Sequence, residues 1–139
     1  MTARPSQTTP PPRRKILIAD HETGTTVPLK FLMEQSGYEV LVATTGEETI
    51  RMATAYKPDL VLLDIMLPGI DGYEVCEIVR LNPKLRNVKI IFLTAKGREV
   101  EIAKGLALGA DAYITKPFSN AELVAKVKSV LENINEEAG

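Results

Sequence analysis

Five short apolar runs recur along the chain, separated by longer stretches with helical periodicity. The runs are Lys15-Ile16-Leu17-Ile18-Ala19, Tyr38-Glu39-Val40-Leu41-Val42-Ala43, Asp59-Leu60-Val61-Leu62-Leu63-Asp64, Val88-Lys89-Ile90-Ile91-Phe92-Leu93-Thr94 and Ala112-Tyr113-Ile114-Thr115. The first, third and fourth are almost continuously apolar, as expected of strands buried on both faces.

The intervening stretches carry helix signals. Thr45-Gly46-Glu47-Glu48 and Ser119-Asn120-Ala121-Glu122 read as capping boxes, and Lys57-Pro58 closes the helix that the first one opens. After Ser119, the residues Leu123, Val124, Val127, Val130, Leu131 and Ile134 form one apolar stripe. The spacing predicts further helices over 72–81, stopped at Asn82-Pro83, and over 98–108, ended by Gly109. Pro28 lacks an amide hydrogen and belongs in a first turn, which predicts a helix from about Thr25–Val27 to Ser36. Gly105 lowers the helix propensity of its segment by roughly 1 kcal/mol relative to Ala, so that helix is either comparatively plastic or simply tolerates the glycine. GYEV occurs at 37–40 and at 72–75, in strand and helix contexts respectively, and reads as coincidence rather than a repeat.

Strand–helix alternation of this kind implies a doubly wound α/β fold, a parallel sheet with helices on both faces. Sites in such sheets form beyond the carboxyl ends of the strands. Those ends supply Asp20, Asp64, Thr94 and, just after the fifth run, Lys116. Two carboxylates, a hydroxyl and an ammonium suit phosphoryl chemistry. One carboxylate can attack phosphorus and the other can hold Mg2+, while the hydroxyl and ammonium bind the oxygens of the transferred group.

Composition narrows the class. The chain has 139 residues, 45% hydrophobic and 25% charged, which suits one soluble domain. A formal net charge of −1 gives no electrostatic case for nucleic acid as the main partner. The lack of a long apolar run or a signal-like start makes a cytoplasmic protein without a membrane span the expectation. A single cysteine, Cys76, forms neither an intramolecular disulfide nor a multi-cysteine metal site. Residues 1–13 are poor in large apolar side chains and read as a disordered tail, with a basic tether of Arg4, Arg13, Arg14 and Lys15 as the alternative. The domain is placed at 14–134 and a flexible C-terminus at 135–139. No output domain is expected, so output runs through protein–protein contact.

Asp20, the LLDIMLPGIDGYE stretch around Asp64, LTA at 93–95 and TKPF at 115–118 occur in order and with similar spacing to the receiver domain of bacterial two-component response regulators, of the chemotaxis type. The resemblance covers roughly residues 14–134. It implies a flavodoxin-like fold of five parallel strands in order 2-1-3-4-5 with five helices. It implies that Asp64 is a phosphoacceptor served by a sensor histidine kinase or histidine phosphotransfer protein, in a signalling domain rather than an enzyme, with a downstream protein target. Thr94 and Lys116 would bind phosphoryl oxygens, and Thr94, Tyr113 and Pro117, the last after a cis peptide bond, would form the switch. Lys116 would pair with Asp64 before phosphorylation. Mg2+ would be held by Asp20, Asp64 and the Met66 backbone carbonyl. By the same resemblance Gly69 and Gly72 belong to the functional loop, although each also suits an ordinary turn.

The sequence departs from the family at His21, where an acidic metal ligand is usual, with Glu22 next. Mg2+ prefers oxygen ligands, so its affinity is expected to fall. Three readings follow. The domain is a receiver with weakened Mg2+ affinity completed by Glu22 or water, a pseudo-receiver acting without phosphorylation, or a site recruiting a softer metal through His21. A haloacid-dehalogenase-type phosphatase needs a second Asp two residues after its nucleophile, and neither Asp64 nor Asp20 has one. A nucleotide-binding module needs a Gly-rich phosphate loop, which is absent.

Because residues 1–12 have little to bury, deleting them is expected to leave the thermal midpoint unchanged. A drop of several degrees on calorimetry would show that the segment docks on the domain.

Overall fold

The computed structural model describes residues 13–95 and 99–138, with side chains through 132. Residues 1–12 of the tail expected at 1–13, the helix start at 98 and the Ile134 side chain lie outside the described residues. Five strands, β1 (Lys15–Ala19), β2 (Glu39–Ala43), β3 (Leu60–Asp64), β4 (Lys89–Ala95) and β5 (Ala112–Lys116), alternate with five helices. These are α1 (Thr23–Gln35), α2 (Gly46–Tyr56), α3 (Gly72–Leu81), α4 (Glu99–Ala107) and α5 (Asn120–Ala138), and a 3-10 turn at Pro83–Leu85 follows α3. All strand pairings are parallel, in the order β2-β1-β3-β4-β5. The flavodoxin-like architecture expected from the sequence is therefore present.

Burial follows position in the sheet. Every residue of the central strand β3 is buried, whereas β2 and β5 at the two edges are largely half-exposed. Alternate residues feed opposite faces. Leu17, Ala19, Val61, Leu63, Ile90 and Phe92 pack with Ala53 of α2 and with Val75, Cys76 and Val79 of α3. Ile16, Ile18, Leu60, Leu62, Ile91 and Leu93 pack with Leu29 and Met33 of α1 and with Leu123, Val127, Val130 and Leu131 of α5. The Cys76 thiol, enclosed in the first cluster, is pushed up to about 11 by burial and is inert at neutral pH.

Local signals set most helix ends. Ser119 Oγ accepts from the Glu122 N–H at 3.0 Å, and Glu122 Oε1 accepts from the Ser119 N–H at 3.3 Å, a complete capping box. Thr45 Oγ1 likewise accepts from the Glu48 N–H at 3.0 Å. Glu48, however, accepts from the N–H of Thr44 at 2.7 Å, one residue earlier than a regular box requires. Helix α1 departs more clearly from expectation. It begins at Thr23, its first turn anchored where the Thr25 and Thr26 N–H groups both donate to the Glu22 carbonyl at 2.9 Å. Pro28 therefore lies inside the helix, and the bond lost is the one to the carbonyl of Gly24.

The edge of the sheet opposite the strand C-termini is held by Arg80. Its guanidinium donates to the carbonyls of Gly109 (2.8 Å) and Val88 (2.6 Å) and to Asp111 Oδ2 (2.8 Å), joining α3 to the starts of β4 and β5.

Gly105 is more than a tolerated glycine. A Cβ there would lie 2.6 Å from Cδ2 and Cε2 of Phe92, whose ring is buried. The glycine lets α4 approach β4. Gly105→Ala gains about 1 kcal/mol of helix propensity but incurs overpacking of about 1–3 kcal/mol, so a net loss of stability is expected in urea titration. Phe92→Leu in the same chain should offset part of that loss; strictly additive effects would contradict the contact.

Candidate functional site

The register of the sheet brings the chemistry-bearing residues together. Ala19 pairs with Leu63, so Asp20 and Asp64 follow side by side at the ends of adjacent strands. Asp64 pairs with Leu93, which places Thr94 one residue beyond on β4, and Ala95 pairs with Lys116 on β5. Asp20 is fully buried, and Asp64 and Thr94 are nearly so. Gly72 fixes the loop after Asp64: a Cβ there would collide with the Asp64 backbone carbonyl and lie 2.7 Å from Ile65 Cα. Its role is close approach of α3 to the end of β3, rather than the plain turn its composition suggests, while Gly69, at φ +76°, is a true turn residue.

Asp20 Oδ1 accepts from the Glu22 N–H at 2.9 Å, and Asp20 Oδ2 accepts from Lys116 Nζ at 3.0 Å. Asp64 Oδ1 accepts from the Met66 N–H at 3.0 Å. Asp64 Oδ2 lies 3.7 Å from His21 Nδ1 and 4.0 Å from Lys116 Nζ. The principal partner of Lys116 is thus Asp20, not Asp64 as the sequence suggested. The reason is burial: a carboxylate with no solvent contact has the greater need of a counter-ion, and Asp20 is the more enclosed of the two. Glu22 Oε1 stands 3.8 Å from the same ammonium, on a side chain 58% exposed.

These positions have an electrostatic consequence. Burial pushes the Asp64 carboxyl above its usual range, and the neighbouring Asp20 charge adds to this. The Met66 N–H, Lys116 and His21 oppose it. Asp64 Oδ2 is accordingly the less satisfied oxygen, facing the exposed side of the cluster.

Not every expected site residue joins this cluster. Thr94 is on the neighbouring strand, but its hydroxyl donates to Glu101 Oε1 of α4 at 3.4 Å. Tyr113 lies on β5 and is 39% exposed, so its ring is turned outward. Pro117 follows Lys116 through a cis peptide bond. Glu101 was not legible as a site residue, because no motif marks it. Its backbone carbonyl also accepts from the Tyr73 hydroxyl at 3.2 Å, and Lys104 Nζ sits 4.3 Å from the Tyr73 ring centroid. The Asp71 cap of α3, accepting from the Glu74 N–H at 3.0 Å, was readable in principle, since Asp71-Gly72-Tyr73-Glu74 has the capping pattern.

The donor set fits a divalent cation. One ligand atom from each of Asp20, His21 and Asp64 lies within 4.8 Å of the others, and two of the three are carboxylate oxygens.

A carboxyl that holds its proton more tightly when folded makes ionisation oppose folding. That contribution favours the fold at low pH and is lost as pH rises from about 3.8 through the raised folded value. In a chelator-containing buffer, Asp64→Asn is therefore expected to raise the thermal midpoint at pH 7, with the gain shrinking toward pH 4. A lower midpoint at pH 7, or a gap independent of pH, would contradict the assignment.

Comparison with known proteins agrees with this geometry. Residues 16–128 match the response regulator receiver domain family. The alkaline phosphatase synthesis transcriptional regulatory protein PhoP of Bacillus subtilis (strain 168) is 46% identical over 118 residues, covering 85% of this chain and 48% of PhoP. The chain thus spans about half the length of that curated relative. A two-component response regulator from Clostridium difficile superimposes with a TM-score of 0.82 at 32% identity, covering 88% of this chain and 99% of the other. The receiver domain of a sensor histidine kinase from Pseudomonas aeruginosa PAO1, solved with magnesium ion coordinated in its active site cleft, gives 0.80 at 27% identity, with 87% and 99% covered. On sequence and fold together, this chain belongs to the response regulator receiver domain family.

Proposed function

We propose that Asp64 accepts a phosphoryl group from a phosphohistidine on a sensor histidine kinase or a histidine phosphotransfer protein, and that the modified domain alters its contacts with a downstream protein. The observation that carries this reading is the convergence of Asp20, Asp64 and Lys116 at one sheet edge, with Asp64 Oδ2 lacking a close hydrogen-bond donor. Asp64 Oδ2 attacks phosphorus as the P–N bond breaks. The imidazole leaves with the bonding pair and takes a proton from solvent, and Asp64 becomes an acyl phosphate. Water later cleaves that anhydride, returning the carboxylate and inorganic phosphate. The domain assists both steps without being a classical enzyme.

Asp20, Asp64 and the Met66 backbone carbonyl, with His21 or Glu22 completing the set, would hold a divalent cation, which would supply positive charge to the oxygens of the transferred group. Mg2+ is the cation that the family resemblance implies. Lys116 moves from Asp20 toward the phosphoryl oxygens, which carry nearly two negative charges. Thr94 gives up Glu101 for the same oxygens, which loosens α4, and Tyr113 turns inward beside Pro117. The output face is formed by α4, β5 and α5, where Val100, Leu106 and Tyr113 are exposed. Residues 14–134 form the working unit. No described helix is long and apolar enough to cross a membrane. The proposed site of action is the cytoplasm, and the formal net charge of −1 gives no electrostatic case for a nucleic-acid partner.

A second reading, a pseudo-receiver that binds partners without phosphorylation, draws on the imidazole of His21 beside Asp64. Intact mass after incubation with acetyl phosphate and a divalent cation separates the two. One added phosphoryl group, absent in Asp64→Asn, is expected; no addition at any cation concentration supports the pseudo-receiver. Lys116→Ala should remain folded yet fail to couple modification to partner binding, and normal coupling in that variant would overturn its role.

A further inference from the structure

The donor set at the sheet edge is mixed rather than all-oxygen. Asp20 and Asp64 each offer a carboxylate oxygen and His21 offers an imidazole nitrogen, all three within 4.8 Å of one another. His21 is 43% exposed in its side chain, yet its Nδ1 stands only 3.7 Å from Asp64 Oδ2. Small side-chain rotations draw atoms so spaced onto one ion with bonds of about 2.1 Å. The open side of the imidazole leaves room for water ligands.

We propose that His21 Nδ1 is a direct ligand of the cation at this site and tilts its preference away from Mg2+, modestly toward Mn2+ and more toward the borderline cation Zn2+. The inference rests on the reading of Asp20 and Asp64 as cation ligands given above. Mg2+ is bound almost wholly by charge and by oxygen, and it gives up water reluctantly. Here the anionic charge is partly offset, because Lys116 Nζ lies 3.0 Å from Asp20 Oδ2 and 4.0 Å from Asp64 Oδ2. Glu22, the remaining acid, is solvated and turned toward the same ammonium. A neutral nitrogen adds a dipole but no charge, so it compensates a hard cation poorly. For transition cations the nitrogen donor contributes more, and that contribution favours imidazole-containing sites for Zn2+ over Mg2+. The chain's one thiol is buried in the core, so a softer metal finds no competing cysteine on the surface.

The chain contains a single histidine, so the ring resonances of the untagged protein belong to His21 alone. Nitrogen-15 spectra of the ring, recorded during Zn2+ addition and reversed with chelator, report ligation directly. Calorimetric titration with Mg2+ and Mn2+ gives the ratio of their dissociation constants for the native protein and for His21→Asp. The proposal predicts a large shift of Nδ1 with Zn2+. It also predicts that the preference for Mn2+ over Mg2+ falls about tenfold in His21→Asp, equivalent to about 1.4 kcal/mol for exchanging the nitrogen donor. Binding of both metals with an unchanged ratio, or a ring unmoved while Asp64 and Met66 amides shift, overturns the role of His21 and leaves the phosphoacceptor reading intact. Failure of both proteins to bind any of these cations overturns both readings.

Discussion

Two carboxylates meet at the ends of adjacent strands because the order of the sheet places β1 beside β3, and one ammonium from β5 holds them there. Charges of like sign at about 5 Å repel by roughly 3 kcal/mol at the effective dielectric of a half-buried site. Asp20 is entirely out of solvent and Asp64 nearly so, and one oxygen of each is occupied by a backbone N–H. Lys116 bridges what remains, closer to Asp20 than to Asp64. The imbalance leaves Asp64 as the carboxylate whose ionised form is least well served. That is the one best relieved by acquiring a cation.

The rest of the molecule maintains this arrangement. The continuous apolar surfaces of β1, β3 and β4 fix the register on both faces, so that the last residue of each strand reaches the same edge. The far edge is tied by the Arg80 guanidinium. On the site's flank, Thr94, Glu101, Tyr73 and Lys104 form a chain of contacts from β4 through α4 to α3. On the proposed function, a Thr94 hydroxyl drawn away from Glu101 would disturb the helix that lies on the Phe92 ring through Gly105, and so carry a local change in charge toward the surface of α4 and β5.

Much of this was readable from residues alone. Strand positions follow from short apolar runs, the placing of Asp20, Asp64, Thr94 and Lys116 at one sheet edge follows from the strand ends, and the sheet order followed from the family resemblance. Misreadings arose where tertiary contacts outweigh local signals. Pro28 pointed to a helix starting near Thr25, yet the Glu22 carbonyl anchors the first turn earlier. Gly105 read as a weak point in a helix, although its reason is a phenyl ring contributed by another element. The preference of Lys116 for Asp20 depends on relative burial, and the role of Glu101 depends on a contact across a loop. Neither quantity is written in a spacing. His21 stood out in the sequence as a departure, but only the coordinates place its nitrogen beside Asp64.

The central claim is that Asp64 is held in an electrostatically costly ionised state that Lys116 only partly offsets. Carboxyl carbon-13 NMR titration of the metal-free protein measures this directly, residue by residue. Asp64 is expected to titrate above its ordinary value of 3.8, and to move higher still when Lys116 is replaced by Met. A carboxyl that titrates at or below 3.8, or one indifferent to the loss of Lys116, would contradict the account.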